Sequence, residues 1–297
     1  MKKLLFSAAL LLMLTACAPS APTPAPTLTP SPLPVSTPAP TPEHAQFVYD
    51  PYAMDRYTRD YVKPDPALYR LVFDAVDRFE TNLTLTGDLP TEDRALDVAA
   101  AVFARFEFNY VNSIVLSEDR SSIHIGYRDG LSAEAAQAEK QAFRDKVEYL
   151  LQEVVSPQQT ELENVQALYR YFAACTYNET AENVGCYGIM VNSEGICTGY
   201  AYALRYLLDQ IGITSHLAFS SDESHVWNLV ELDGKFYHLD PTMESMSGQP
   251  GLLFFGMDDA RRRMDYPAWY GGGNSNYPHY DLPLCEDRRF ADLSGIA

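Results

Sequence analysis

The sequence predicts an α+β protein, helices together with an antiparallel hairpin, preceded by an α/β N-terminal segment. Three observations lead there. Apolar residues recur at helical spacing over 64–80, over 133–154 and from 161 onward. The stretch HVWNLVELDGKFYHLDPT (225–242) is two alternating runs joined by Asp233-Gly234, the strongest short hairpin signal. Between them, GICTGYAYALRYLLDQIG (195–212) puts a thiol where an apolar-striped helix begins.

The chain opens MKKLLFSAALLLMLTACAPS, with two lysines, an apolar run from Leu4 to Leu14 and then small residues. That run is about half of what a bilayer span needs, so it reads as a secretory signal. Leu14-Thr15-Ala16-Cys17 resembles the lipobox of bacterial lipoproteins, which implies cleavage before Cys17 and lipid on its thiol. Residues 1–16 are then a signal peptide, and 17–46 a lipidated cysteine with a proline-rich linker. Half of the chain's 20 prolines fall in 18–43, a composition that removes backbone donors and fixes φ, giving an extended spacer of up to ~80 Å. The expected location is the extracytoplasmic face of a bacterial cell membrane, with the lipid anchor as the only membrane contact.

The remainder, from about 47 to 297, is long enough for one large or two small cores. A formal charge of −18 argues against nucleic acid and against direct adhesion to anionic lipid. Besides Cys17 there are Cys175, Cys186, Cys197 and Cys285, whose spacing is not that of a structural zinc site. If Cys197 stays free, at most one disulfide can form among the others, and the spacing does not say which.

Taken in order, PDPALYRLVFDAVDRFE (64–80) is a helix with Asp65 as N-cap, and a second helix runs from Thr91 to Ala104. FEFNYVNSIVL (106–116) and SSIHIGY (121–127) alternate as strands, and a third helix covers Ala133 to Val154. Ser156-Pro157 breaks the chain, so 47–158 is taken as the N-terminal segment and 159–297 as the second domain. A helix from Glu161 carries Leu162, Val165, Leu168, Tyr169 and Phe172 on one face, with Cys175 on the same stripe as a buried apolar residue. The helix Thr198 to Ile211 buries Leu204, Leu207, Leu208 and Ile211, and Gly212 ends it.

Cys197 therefore stands at the first turn of a helix, where backbone N–H groups lack partners and the dipole is positive. Both favour the thiolate, and the same N–H groups can hold an oxyanion formed by attack on a carbonyl. The hairpin supplies a base. With a two-residue turn, Leu232 faces Lys235, and the same register sets Trp227 opposite Asp240 and His225 opposite Thr242. His225 and Asp240 are then diagonal neighbours on one face, within reach of a His–Asp hydrogen bond. Cys197 becomes a candidate nucleophile, His225 its base and Asp240 the group that fixes the tautomer. Trp227 would cover the His–Asp pair. His238 shares that face, opposite Leu229, in a structural role. Asp222 and Glu223 read as a solvated loop.

These motifs, G-I-C-T-G-Y-A, H-V-W-N and Y-H-L-D-P-T in that order, resemble the transglutaminase-like superfamily. The resemblance covers about 160–245 closely, and LLFFGMDDARRRMDYPAW (252–269) is similar to a looser segment that follows in bacterial lipoprotein members. It implies a papain-like architecture, the cysteine helix packed on an antiparallel sheet, with a Cys197–His225–Asp240 triad, and an enzyme that transfers acyl groups at a carboxamide or peptide bond through a cysteine acyl-enzyme. Hydrolysis is slightly favoured over cross-linking, and the substrate would be a protein, a peptide or a cell-wall peptide. Tyr187 falls where such proteins often place an oxyanion-supporting residue, although an ordinary core tyrosine fits equally well. No cofactor or metal is expected, since no EF-hand-like loop is present. The competing class is a non-catalytic binding or scaffold domain on a lipid-anchored stalk.

Overall fold

The computed structural model describes residues 45–248, 251–272 and 279–291. The expected signal peptide, Cys17 and all but the last two residues of the linker lie outside these. No helix among the described residues is long and apolar enough to cross a membrane.

The first unit begins where its capping signals place it. In α1 (Pro66–Asp77) the Asp65 carboxylate accepts from the Ala67 and Leu68 N–H groups, with proline in the first turn. Thr91 caps α2 (Glu92–Phe103) in the same way. Both helices pack on a three-stranded antiparallel sheet, order β1-β3-β2, built from β1 (Asn82–Thr84), β2 (Val111–Leu116) and β3 (Ser122–Tyr127). Val72, Val76, Val98, Val102, Ile114 and Ile123 make the core.

The strand expected over 106–116 starts only at Val111, and Phe106–Phe108 is a 3₁₀ turn. The aromatic alternation there serves two different cores. Phe106 packs on Tyr202 and Tyr206, while Phe108 packs on Phe73 of α1. An extended strand could not send both rings to those partners.

Packing crosses the boundary expected at 158. Helix α3 (Ala133–Glu153) contributes Ala136 to the first core, but Phe143, Val147, Leu150 and Leu151 to the second. Ser156-Pro157 is only the turn between α3 and α4 (Glu161–Ala173), closed by the Asn164 side chain on the Ser156 backbone. Lys140 and Arg144 of α3 reach back to Asp77 of α1, so α3 joins the two units.

The second unit holds a short parallel pair, β4 (Thr176–Tyr177) and β5 (Glu194–Gly195), and carries the predicted hairpin in the predicted register. Strands β7 (Val226–Leu232) and β8 (Lys235–Leu239) pair from Leu232 opposite Lys235 to Asn228 opposite Leu239. Asp233 and Gly234 both take positive φ, as a type I′ turn requires. With β6 (Ser215–Ser220), β9 (Phe255–Met257) and β10 (Trp269–Gly271) they form an antiparallel sheet, order β10-β6-β7-β8-β9. Helix α5 (Cys197–Gln210) lies on one face, through Ala201 against Leu217 and Val226, and through Leu204, Leu207 and Leu208 with Val230, Leu232 and Leu239. The Asn228 side chain donates to the Ala201 carbonyl at 2.9 Å, tying the helix to the central strand.

The ladder does not continue to Asp240 and Thr242 as the register would extend it. Asp240 instead caps α6 (Pro241–Met246), with its side chain accepting from the Met243 N–H at 3.1 Å. Pro241 has no N–H for a ladder and a φ suited to a first helical turn. Asp-Pro was a helix start inside an apparent strand.

Candidate active site

Cys197 occupies the first position of α5, and its N-cap Ile196 offers no side-chain hydrogen bond. The first-turn N–H groups are thus left without a side-chain cap. The glycines on either side have a steric reason. A Cβ at Gly195 would meet the Val184 carbonyl oxygen at 2.5 Å, and one at Gly199 would meet the Val184 and Gly185 oxygens at 2.7 Å each. Ile196 donates to that same Val184 carbonyl at 3.0 Å. The segment 183–185 is thereby laid against the helix start and holds Cys197, half-buried, at its edge. Alanine for glycine inside a helix ordinarily stabilises by ~1 kcal/mol. Here Gly199→Ala is expected to destabilise by about 1–3 kcal/mol through overpacking against backbone. Denaturant unfolding reads the sign, and a more stable variant would show that 183–185 is not held there.

His225 directly precedes β7, where a tight loop fixes its backbone. Its N–H donates to Ser220 Oγ at 3.0 Å. Asp222 in turn accepts from the Ser220 and Ser224 hydroxyls at 2.6 and 2.7 Å. These hydroxyls hold the Asp222 carboxyl down at about 2. Asp222 is therefore an organising residue of the loop rather than a merely solvated one.

His225 Nε2 lies 2.7 Å from Asp240 Oδ2. An ionised carboxylate only accepts, so Nε2 carries the hydrogen and Nδ1 is left free for Cys197, which lies near enough to act on the ring's charge. Burial alone would lower the imidazole pKa, but the Asp240 carboxylate and then Cys197 outweigh it and raise it to about 9. Burial would likewise raise the Asp240 carboxyl, yet His225 and Arg262 hold it well below the usual carboxylate range. Asp240 is completely buried, and Phe254 and Tyr169 bind its backbone. The three residues singled out from the sequence are thus contiguous.

A second layer backs this row. Trp227 is fully buried, its ring 5.8 Å from that of His225 and 20° from parallel. Its indole N–H donates to His238 Nδ1 at 2.9 Å, and His238 Nε2 lies 2.9 Å from Asp259 Oδ1. Burial lowers the His238 pKa, so this ring is neutral and its hydrogen is on Nε2. His238, Asp259 and Cys285 lie within ligand distance of one another. A metal on Nε2 would demand an imidazolate while Trp227 donates to Nδ1, so these residues do not fit a cation. Their role is to hold Trp227.

Sequence reasoning missed two residues here. Arg262, from α7 (Asp259–Arg262), is fully buried, donates to Asp240 Oδ2 at 2.7 Å and lies 4.0 Å from the Trp227 ring centroid. Tyr266 stacks on His225 at 5.1 Å. Nothing in DDARRRMDY marks which arginine turns inward. Tyr187 does not meet its expectation: its hydroxyl donates to the Glu139 carbonyl at 3.3 Å and its ring stacks on Phe143. Packing on α3 takes the hydroxyl that an oxyanion would need. Cys175, Cys186, Cys197 and Cys285 are all free thiols.

A sequence model of the transglutaminase-like superfamily matches residues 133–241. No curated protein matches the chain in sequence. Among solved structures, similarity is found to a candidate cysteine protease from Cytophaga hutchinsonii, at 13% identity over 34% of this chain and 38% of that one, TM-score 0.28. A second structure, described as a TGase, shares 13% identity over 54% of this chain and 50% of that one, TM-score 0.28. The chain therefore spans half or less of the length of either. These likenesses are slight, and the family rests on the sequence match, whose last residues reach Asp240. Over residues 133–241 the chain is thus similar to the transglutaminase-like superfamily, the family that the order of the Cys197, His225 and Asp240 motifs resembles.

Proposed function

We propose that the protein is a cysteine-nucleophile acyl-transfer enzyme in which Cys197 attacks, His225 moves the proton and Asp240 orients His225. One observation carries the reading: a half-exposed thiol at a helix start stands beside an imidazole whose Nε2 is committed, at 2.7 Å, to a buried carboxylate. The thiolate adds to the carbonyl carbon of a carboxamide or peptide bond, and the first-turn N–H groups of α5 stabilise the oxyanion. His225 Nδ1–H then protonates the leaving nitrogen as the C–N bond breaks, which leaves a thioester and a neutral imidazole. Water or an amine attacks the thioester, giving its proton to Nδ1 as the thiolate leaves. Hydrolysis of a protein, peptide or cell-wall peptide is the favoured outcome, and amine attack would give cross-linking.

Incubation with an activated acyl ester, followed by peptide mass mapping, tests this reading. Acyl label is expected on Cys197, absent in Cys197→Ala and slowed in His225→Ala. Added primary amine that speeds loss of the label and yields amide indicates transamidation; indifference to amine indicates hydrolysis. A folded protein that is never acylated at Cys197 contradicts the enzyme and leaves a binding module.

We also propose attachment through lipid on Cys17 at the extracytoplasmic face, on the strength of the Leu14–Cys17 sequence. Cys17→Ala is expected to shift the protein from the membrane fraction to the soluble or unprocessed one. Unchanged retention in membranes would refute the anchor.

A further inference from the structure

Behind the triad, Arg262 closes a row of charges that the acyl-transfer chemistry needs balanced. Its guanidinium is completely buried, with Nη2 on Asp240 Oδ2, the same oxygen that accepts from His225 Nε2 at an equal 2.7 Å. Its plane is clamped between rings, 4.0 Å from the centroid of Trp227 and 4.7 Å from that of Tyr266. Among the described residues Nε and Nη1 find no hydrogen-bond partner, and Asp265 Oδ2 is 3.7 Å from Nη1. A guanidinium placed there for stability alone would have those donors satisfied, since an incompletely paired buried charge is costly.

The ionisable groups facing Arg262 are Asp240 at the end of β8, His238 within β8, Tyr169 on α4, and Asp265 and Tyr266 beyond its own helix. Burial keeps His238 and Tyr169 neutral. Those facing His225 are Asp240, Cys197 and Tyr266, and burial keeps the Tyr266 hydroxyl protonated by raising its pKa to about 12. The cations acting on Asp240 are thus His225 and Arg262. With thiolate, imidazolium, carboxylate and guanidinium in a row, the charges alternate and cancel. Without Arg262 the row carries a net negative charge at a buried carboxylate, which returns a proton to the site and discharges the thiolate.

We infer that Arg262 is a positioning residue for the triad: acting through Asp240, it neutralises the buried row and so permits the thiolate–imidazolium form of Cys197 and His225. The inference rests on the acyl-transfer reading of Cys197, and the test separates the two.

Native full-length protein is alkylated with iodoacetamide from pH 5 to 10, and the rate at Cys197 is followed by mass mapping, with thermal unfolding recorded in parallel. Arg262→Met is expected to slow alkylation at pH 6 about tenfold and move the rise in rate toward higher pH, as loss of one neighbouring charge shifts ionisation by about a unit. Arg262→Lys, which keeps the charge but not the planar fork, should recover most of the lost rate. In an Asp240→Asn background the Arg262→Met change should alter the rate less than about twofold, because the carboxylate it acts on is gone. A folded Arg262→Met variant with the wild-type profile overturns the inference and leaves the triad intact. A wild-type Cys197 no faster than an ordinary thiol fails the enzyme reading itself. Should Arg262→Met not fold, recovery of cooperative unfolding in Asp240→Asn/Arg262→Met supports the charge pairing, and continued unfolding assigns Arg262 to packing alone.

Discussion

Asp240→Asn should lower the single-turnover rate of Cys197 acylation by at least ~10², and destabilise the fold by about 3–5 kcal/mol. The two losses have separate causes. Asparagine can still cap α6, because its side-chain oxygen accepts from the Met243 N–H as readily as a carboxylate does. What it cannot do is accept from His225 Nε2 and Arg262 Nη2 with one ionised oxygen. The imidazole loses the partner that sets its tautomer; the corresponding substitution in a serine-protease triad costs ~10⁴ in kcat. A thiolate–imidazolium pair relies less on a base during attack, so the smaller lower bound applies here. Among the described residues Arg262, fully buried, is left with only the more distant Asp265, 3.7 Å from Nη1, as an ion-pair partner. Acylation at the wild-type rate would reduce the site to a Cys–His dyad, and an unchanged unfolding midpoint would show that the Arg262–Asp240 pair contributes nothing to stability.

Rising pH is expected to remove both activity and stability through about 9. The His225 pKa is raised from 6.5 to about 9 against the opposing effect of burial, chiefly by Asp240. A group whose folded pKa is raised stabilises fully below its unfolded value and loses that contribution as pH climbs through the folded one. The contribution is on the order of 3 kcal/mol, present up to about pH 6.5 and gone well above 9. Asp240, depressed, acts in the opposite sense: its stabilisation is full above about pH 4 and is lost as pH falls through its folded value. The imidazolium is also the acid that protonates the leaving amine, so acyl transfer should decline with an alkaline limb near pH 9. Asp240→Asn, by deleting the main cause, should draw that limb downward. Thermal midpoints equal at pH 6 and pH 10, or a limb unmoved in Asp240→Asn, would contradict the assignment.

Much of this site was legible because local rules decided it. Asp233-Gly234 set a two-residue turn, the turn set the register, and the register brought His225 and Asp240 to the same end of the hairpin, although the ladder itself stops at Asn228 and Leu239. Gly212 ended the helix at a positive φ. What escaped were positions fixed by tertiary partners. Asp240 looked like a strand residue because Tyr237 and Leu239 continue the alternation, although Asp-Pro already spelled a helix cap. Phe106 and Phe108 alternate like a strand yet feed two different cores. Arg262 is one of three consecutive arginines, and only the packing of α7 against Trp227 selects it. Tyr187 was placed by family position, but the stacking on Phe143 that directs its hydroxyl to α3 has no local signal.

The central claim is that Cys197 is an activated nucleophile among four free thiols, and competitive alkylation of the native protein tests it most directly. Burial pushes the Cys175 thiol up to about 11 and raises Cys186 and Cys285 as well, so those three should be nearly inert. Cys197, half-exposed at the start of α5 and near His225, should be labelled first, faster at pH 6 than a free cysteine thiol, and should lose that advantage in His225→Ala. Labelling of Cys175, Cys186 or Cys285 ahead of Cys197, or a Cys197 rate unaffected by His225→Ala, would contradict it.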